Sequence, residues 1–514
     1  MKNIGKFVIN GAMMTLCSLL MRTVAVSFNV YVANTAGAEA VGLYSLLSSV
    51  YGFAITLALS GLHLAVTRLV SEALALGNKA RVAKIMKKSF LYAIFFGFLS
   101  MILLFSLSDT LAMNWLGDIR TVKPFKILSI CLPLISVSSV INGYFAAVRR
   151  VFKSAFSQLF EMAIKIIATV GLFAIVMVKN AELACILLVL GSAFSEICVF
   201  VVNIIMYLID RFIHFKKENK ALAPSSVSSD ILKISLPVAL TSYVRSALLS
   251  IEHSLIPKGL QKFGNDKSAA LSSYGTLSSM ALPVINFPYA LVGSFSSLLI
   301  PEVAESRAKG EKRHVKYIAY RTYQLGIAFA LGIFGIFFSF AEPLGNLLYS
   351  SAEASSYIKW LAPLVPIMYT DSVTDAVLKG MGEQLYAMKV NIADACISVV
   401  LVCFLVPIYG VYGYIATIYI AEIINASLSI FRMIKVTNLK PPLLKFLVCP
   451  MLCVIGSAST TNILNKIFIS AQSIWGLVVN ISCYALLYVV FMLLLGGFSR
   501  EDASWIKSLF SKEK

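Results

Sequence analysis

Charge is scarce in this chain. Lys, Arg, Asp and Glu together make up 13% of its 514 residues, against about a quarter in soluble globular domains, which excludes an ordinary water-facing surface. Only four histidines are present, none in an H-E-x-x-H helix, so a zinc hydrolase of that kind is excluded. The nine cysteines all lie in apolar runs and form no C-x-x-C, which points to small packing residues and not to a redox motif or disulfide framework. Cys449 and Cys453 share a helix face, but no histidine stands near them to complete a metal site. There is also no G-x-x-x-x-G-K-[ST] phosphate loop and no G-x-S-x-G elbow. No polar stretch is long enough to house an ATPase, so the sequence reads as that of a non-enzyme without cofactor or metal.

What is abundant is apolar sequence. Hydrophobic residues reach 59% and the mean hydropathy is +0.84. A hydrocarbon core of about 30 Å needs about 20 helical residues per crossing. By that measure about fourteen spans are expected, at 7–33, 40–69, 89–112, 125–148, 154–178, 183–208, 231–256, 270–300, 318–340, 357–380, 387–408, 411–431, 443–464 and 473–496. The first run is too long for a secretory signal and contains Arg22, so it reads as a retained helix.

Lys and Arg gather in alternate connections, around 79–88, 149–153, 211–220, 307–316 and 432–440. Cytoplasmic loops keep positive charge during insertion, so these connections and both termini are expected in the cytoplasm of a multi-pass cell-membrane protein. Anionic headgroups account for most of the +19 net charge without any nucleic-acid partner.

The chain also looks duplicated. Val70-Ser71-Glu72-Ala73-Leu74-Ala75-Leu76-Gly77-Asn78 reappears as Val303-Ala304-Glu305-Ser306-Arg307-Ala308-Lys309-Gly310-Glu311, an offset of 303 − 70 = 233. The segment ending at Glu161 aligns with one ending at Asp394, and 394 − 161 is again 233. Two even-numbered halves make a parallel repeat about an axis along the membrane normal. The expected plan is a six-helix bundle in 1–210, a cytoplasmic linker in 211–230, a second bundle in 231–435, a final helix pair in 441–496 and a cytoplasmic tail in 497–514. Pro283, Pro288 and Pro301 should bend the eighth span, since each removes a backbone donor.

An ionisable residue at a membrane-helix centre costs about 2.5–3.5 kcal/mol by insertion scales, so such residues mark a partner or a wet cavity. Arg22 and Arg245 lie midway along the first and seventh spans and are repeat-related within one residue, once a gap is allowed between the first two spans of a half. Brought together they would form an anion site suited to phosphate oxygens; the alternative is that each pairs with a carboxylate or snorkels. Glu252, two turns beyond Arg245 and beside His253, is either a salt-bridge partner or a proton-linked carboxylate. Asp371, Asp375 and Lys379 share one helix face as an ion pair or a cavity-lining stripe, and Glu161 with Lys165 is a similar pair. Glu161 and Asp394 lie near helix starts, where capping of the dipole explains them. Glu196 and Glu422 lie deeper without an obvious sequence partner, and Arg68 lies where it can snorkel.

Gly37-Ala38-Glu39-Ala40-Val41-Gly42-Leu43-Tyr44 followed by Gly61-Leu62-His63-Leu64-Ala65-Val66-Thr67-Arg68 resembles the start of the stage V sporulation protein B family, in the polysaccharide-exporter branch of the multidrug/oligosaccharidyl-lipid/polysaccharide (MOP) flippase superfamily. Ser235-Leu236-Pro237-Val238, Phe287-Pro288-Tyr289 and Gly380-Met381-Gly382-Glu383-Gln384 fit the same pattern, and the likeness runs to about residue 435. The resemblance implies an all-α polytopic membrane protein with a fold like that of the MATE and MurJ transporters: about fourteen helices in two pseudo-symmetric six-helix bundles plus a C-terminal pair. It implies export of an undecaprenyl-pyrophosphate-linked oligosaccharide of the lipid II type, as for spore cortex, by alternating access. The membrane potential, H⁺ or Na⁺ would drive it, and cell-wall synthases are candidate partners. Arg22, Arg245 and, more loosely, Arg68 match the arginine pattern of such cavities. Glu252 joins them as a substrate-site candidate; Asp371, Asp375, Lys379 and Glu422 remain candidates for the cavity or for ion coupling. The competing function is a cation-coupled drug antiporter of the same superfamily, whose cavity should favour carboxylates.

Overall fold

The computed structural model describes residues 2–148, 150–176, 180–214, 227–439, 443–467 and 473–497, among which every regular element is helical. Most of the expected linker and all but Gly497 of the expected tail lie outside the described residues. In chain order the helices are α1 (Lys2–Leu59), α2 (Leu62–Ala75), α3 (Lys79–Thr110), α4 (Val122–Ser129), α5 (Leu132–Ala147), α6 (Val151–Ile175), α7 (Ala181–His214), α8 (Val227–Lys262), α9 (Lys267–Gly275), α10 (Leu282–Asn286), α11 (Tyr289–Ala308), α12 (Lys312–Ser339), α13 (Ala341–Tyr349), α14 (Ala352–Leu361), α15 (Val365–Gly380), α16 (Gln384–Thr437), α17 (Leu443–Ile467) and α18 (Ile474–Leu494).

Among the described residues nine helices are long and apolar enough to cross a membrane, ten if the bent pair Ile119–Ser129 and Leu132–Ala147 is one span. Two expected pairs of spans run together without a loop, as α1 and α16, and each is two helices meeting at a glycine with non-helical backbone, Gly37 (φ 83°, ψ 162°) and Gly410 (φ 61°, ψ −139°). Other expected spans are broken into short pieces. The proline-rich eighth span is one of these, interrupted by a π-helical turn at Thr276–Ala281 and again at Phe287–Pro288 between α10 and α11.

The chain divides into two compact units, residues 35–272 and residues 1–34 with 273–514. These are not the repeat halves. The first span belongs with second-half helices, and α8, which opens the second half, belongs with the first.

Within the unit 35–272, α2 packs on α3, α5 and α8, and α6 on α7. Leu62, Val66, Ile85, Val140 and Phe145 form its core. The span expected at 40–69 is interrupted at Ser60 (φ 45°) and Gly61 (φ 68°). A helix end leaves carbonyls without intrahelical partners, and here side chains take them. Ser136 Oγ donates to Ala58 O at 2.9 Å, and Ser60 Oγ to Leu57 O at 2.7 Å. A Cβ on Gly61 would stand 2.7 Å from the carbonyl oxygen of Ser235 in α8. Gly61→Ala is therefore expected to destabilise, by about 1–3 kcal/mol for the left-handed backbone alone and more through the clash. A melting temperature in detergent equal to that of the wild type would contradict this.

In the other unit α15 packs on α11, α12 and α16, and the final pair α17–α18 packs on α12. The contacts include polar seals at depth: Tyr323 Oη lies 2.6 Å from Thr374 Oγ1, and Tyr488 Oη donates to Ala328 O at 2.7 Å.

Candidate functional site

Arg22 and Arg245 fall in different units. Both side chains are exposed. Arg22 Nη1 donates to Asn286 O at 2.8 Å, a carbonyl at the end of α10 where the proline-rich segment breaks. That bond uses a neutral acceptor and brings no counter-charge of its own. Arg245 is framed on α8 by two cross-helix contacts: Tyr243 Oη lies 2.6 Å from Ser60 Oγ, and Thr56 Oγ1 donates to Ser246 Oγ at 3.2 Å. The break at Ser60–Gly61 thus fixes the register of the helix that carries Arg245. Among the described residues neither guanidinium meets a carboxylate.

The other candidates are placed differently. Arg68 is paired on the surface of α2, Nε to Glu72 Oε1 at 2.9 Å with its side chain 65% exposed, an i,i+4 contact worth about 0.3–0.5 kcal/mol. Glu252 is buried on α8. Of the α15 stripe, Lys379 Nζ pairs with Asp375 Oδ2 at 3.3 Å. Asp371 turns instead to α16, where its Oδ2 accepts from Asn425 Nδ2 at 3.2 Å. Its Oδ1 is buried without a hydrogen bond of normal geometry. Asp375, Asp394 and Glu422 lie within electrostatic reach of Asp371, so the structure gathers four carboxylates in this unit. Among the described residues no three His, Cys, Asp or Glu side chains converge tightly enough to chelate a metal ion. The same unit has an apolar cavity of about 490 Å³ lined by Phe295, Phe329, Val373 and Tyr488 among others. The unit 35–272 has a polar pocket of about 590 Å³ beside Gly37, with Glu39, Asn180, Asp266 and Ser268 in its wall.

Two ionic centres in the unit 35–272 escape sequence reasoning. Buried Asp210 at the end of α7 receives Lys153 Nζ at 2.6 Å, Tyr144 Oη at 2.8 Å and the Arg150 guanidinium. The one available signal is a lone acid at the end of an apolar span, opposite a basic connection. Asp118 is held by Arg120 at 2.8 Å and Lys267 at 3.3 Å, and Arg120 also reaches Glu39 at 2.9 Å. Burial alone would raise the Asp118 carboxyl, but hydrogen bonds and charge from Arg120, with Lys267, hold it below the usual 3.8. Such a group stabilises fully above its unfolded value and loses that contribution as pH falls through the lower folded value. The wild type should therefore lose melting temperature below about pH 4 more steeply than Asp118→Asn, and parallel curves down to pH 3 would refute this.

A family model described as "Polysaccharide biosynthesis protein" matches residues 7–292, more than half of the chain. The chain belongs to the polysaccharide biosynthesis protein family. A second model, MatE, matches residues 268–405. Stage V sporulation protein B of Bacillus subtilis (strain 168) is 24% identical over 92% of each chain. The lipid II flippase MurJ of the same organism is 21% identical, over 79% of this chain and 78% of that one. A solved structure of lipid II flippase MurJ in an inward closed conformation superposes with a TM-score of 0.70 at 14% identity, covering 94% of this chain and 98% of that one. The expected resemblance to the stage V sporulation protein B family and the all-α, MurJ-like fold are borne out. This member of the polysaccharide biosynthesis protein family is thus a multi-pass membrane protein with the fold of lipid II flippase MurJ.

Proposed function

We propose that the chain translocates an undecaprenyl-pyrophosphate-linked oligosaccharide, a lipid II-type peptidoglycan precursor as used for spore cortex, from the inner to the outer leaflet by alternating access. The observation that carries this is one exposed mid-helix arginine in each unit, Arg22 and Arg245, neither engaged by a carboxylate among the described residues. A diphosphate carries two negative charges that a guanidinium fork can bind bidentately. The apolar cavity lined by Phe295 and Phe329 suits a segment of prenyl chain, and the names of two relatives agree with sporulation and with lipid II. Basic connections and both termini lie in the cytoplasm on this reading, and synthases that consume the exported precursor are the natural partners.

Coupling follows from the same charges. An empty carrier exposing two arginines moves positive charge through the field, worth about 2.3 kcal/mol per charge per 100 mV when the whole field is crossed. The interior-negative potential would reset it, with Glu252 and the Asp371, Asp375, Lys379, Glu422 group as secondary H⁺ or Na⁺ sites. The alternative, a cation-coupled antiporter, is favoured by the MatE match over residues 268–405 and by the four carboxylates around Asp371.

Reconstitution separates the two. Proteoliposomes carrying lipid-linked precursors of different headgroups should show leaflet exchange of the diphosphate-linked ones, slowed when valinomycin and high external K⁺ collapse the potential. Movement of organic cations with no lipid exchange would transfer the function to the antiporter.

A further inference from the structure

The unit 35–272 contains a further ionisable centre, distinct from Arg245 and from those at Asp210 and Asp118. Glu161 lies ten residues into α6, not at a helix start as expected, and with Lys165 on α6, Glu196 on α7 and Tyr44 on α1 it stands at span depth, each side chain only partly exposed. The i,i+4 spacing of Glu161 and Lys165 favours an ion pair, yet the lysine goes elsewhere. Lys165 Nζ donates to Tyr44 Oη at 3.2 Å and stands 5.7 Å from that ring's centroid. Tyr44 Oη in turn lies 3.3 Å from Ser192 Oγ on α7. Among the described residues neither glutamate makes a hydrogen bond or an ion pair. Glu161, Glu196 and Lys165 nevertheless lie within electrostatic reach of one another. Tyr51 and Cys131 lie within electrostatic reach of Glu196, and Cys185 within reach of Tyr44.

The charge count is two carboxylates to one ammonium. With both glutamates ionised, one negative charge is left without a counter-ion between membrane helices, at a cost of about 2.5–3.5 kcal/mol by insertion scales. One proton on the pair removes it. A metal cation fits poorly, because the Lys165 ammonium already occupies the cluster and would repel it, and because no three metal-ligating groups converge among the described residues. The repeat reinforces the contrast. Position 394, which is 161 + 233, holds Asp394 among the carboxylates around Asp371, but position 398, the mate of Lys165, is Ser398. The lysine is particular to the unit 35–272.

We propose that Glu161, Lys165, Glu196 and Tyr44 form a proton-exchange site, in which the two glutamates share one proton when sealed from water and give it back to water when exposed. The proton is taken from bulk water and returned to it, with Lys165 held by Tyr44 as the fixed positive charge that sets the occupancy at one. The inference deepens the transport reading, on which it rests for the alternation between sealed and exposed states.

The test needs no lipid substrate. Full-length protein in nanodiscs is compared by infrared spectroscopy near neutral pH, following the C=O stretch of protonated carboxyl groups. Glu161→Gln and Glu196→Gln should each remove one carboxyl's worth of that band, since the remaining glutamate is balanced by Lys165 and ionises. Lys165→Met should change it in the opposite sense, adding one carboxyl's worth. Bands unchanged in both glutamine variants, or a loss in Lys165→Met, would overturn the site. In proteoliposomes that flip lipid, Glu196→Gln should lose acceleration by a pH gradient and keep acceleration by the potential. Full retention of the gradient effect would count against the site, whereas a wild type that flips nothing under any condition defeats the transport reading and leaves the infrared result to stand or fall alone.

Discussion

Arg22→Ala and Arg245→Ala are each expected to reduce flipping to background while leaving a folded protein. A charge-assisted hydrogen bond contributes about 1.5–3 kcal/mol, so loss of a two-bond fork on a diphosphate corresponds to roughly a hundredfold or more. Folding should survive because both side chains are exposed and neither has a carboxylate partner among the described residues that would be left behind. Lysine should rescue in part, keeping the charge but not the planar pair of donors. The measurement is complementation of a flippase-deficient strain at matched expression, with a melting curve of each purified variant. Full complementation by either alanine variant would falsify the diphosphate assignment.

The second large effect is on stability and centres on Asp210, 1% exposed beneath Arg150, Lys153 and Tyr144. Removing one partner of a buried ion pair costs about 3–5 kcal/mol when the other stays buried and uncompensated. Here the asymmetry matters. Arg150 and Lys153 keep 29% and 28% of their side-chain surface exposed, so after Asp210→Asn they can turn to water and the cost should fall to about 1–3 kcal/mol. The double variant Arg150→Gln/Lys153→Gln takes two cations from the buried carboxylate and should cost more than Asp210→Asn. Thermal or denaturant unfolding in detergent gives the order directly, and an inverted order would mean that the acid is not held by its cations.

What the sequence reveals follows the length scale of each signal. The helices are legible because a membrane crossing requires about 20 apolar residues, and the bend near Pro288 is legible because proline lacks a donor. The interruption at Ser60–Gly61 is not, since no proline marks it and the apolar run continues through. Its cause is tertiary: the approach of Ser235 and the serine donors that take its carbonyls. The mid-span arginines are visible from charge alone, and their lack of carboxylate partners could be known only from the packing. Glu161 and Lys165 show the limit of a local rule. Their spacing predicts a pair, but α6 turns its lysine toward Tyr44 on another helix. The carboxylates around Asp371 come from α15 and α16, and no spacing rule relates residues on different helices.

The grouping of residues 1–34 with 273–514, and of 227–272 with 35–214, has a bearing on descent. The duplication expected from the sequence implies an earlier polypeptide one repeat long. If each present unit needs the opening helix of the opposite repeat, that ancestor could complete its fold only as a homodimer whose subunits exchanged their N-terminal helices, a domain swap later made permanent by fusion. Cutting the present chain between 215 and 226 and co-expressing the fragments would recreate that ancestor's problem: neither fragment carries a complete unit, and each would have to find the other before it could finish folding.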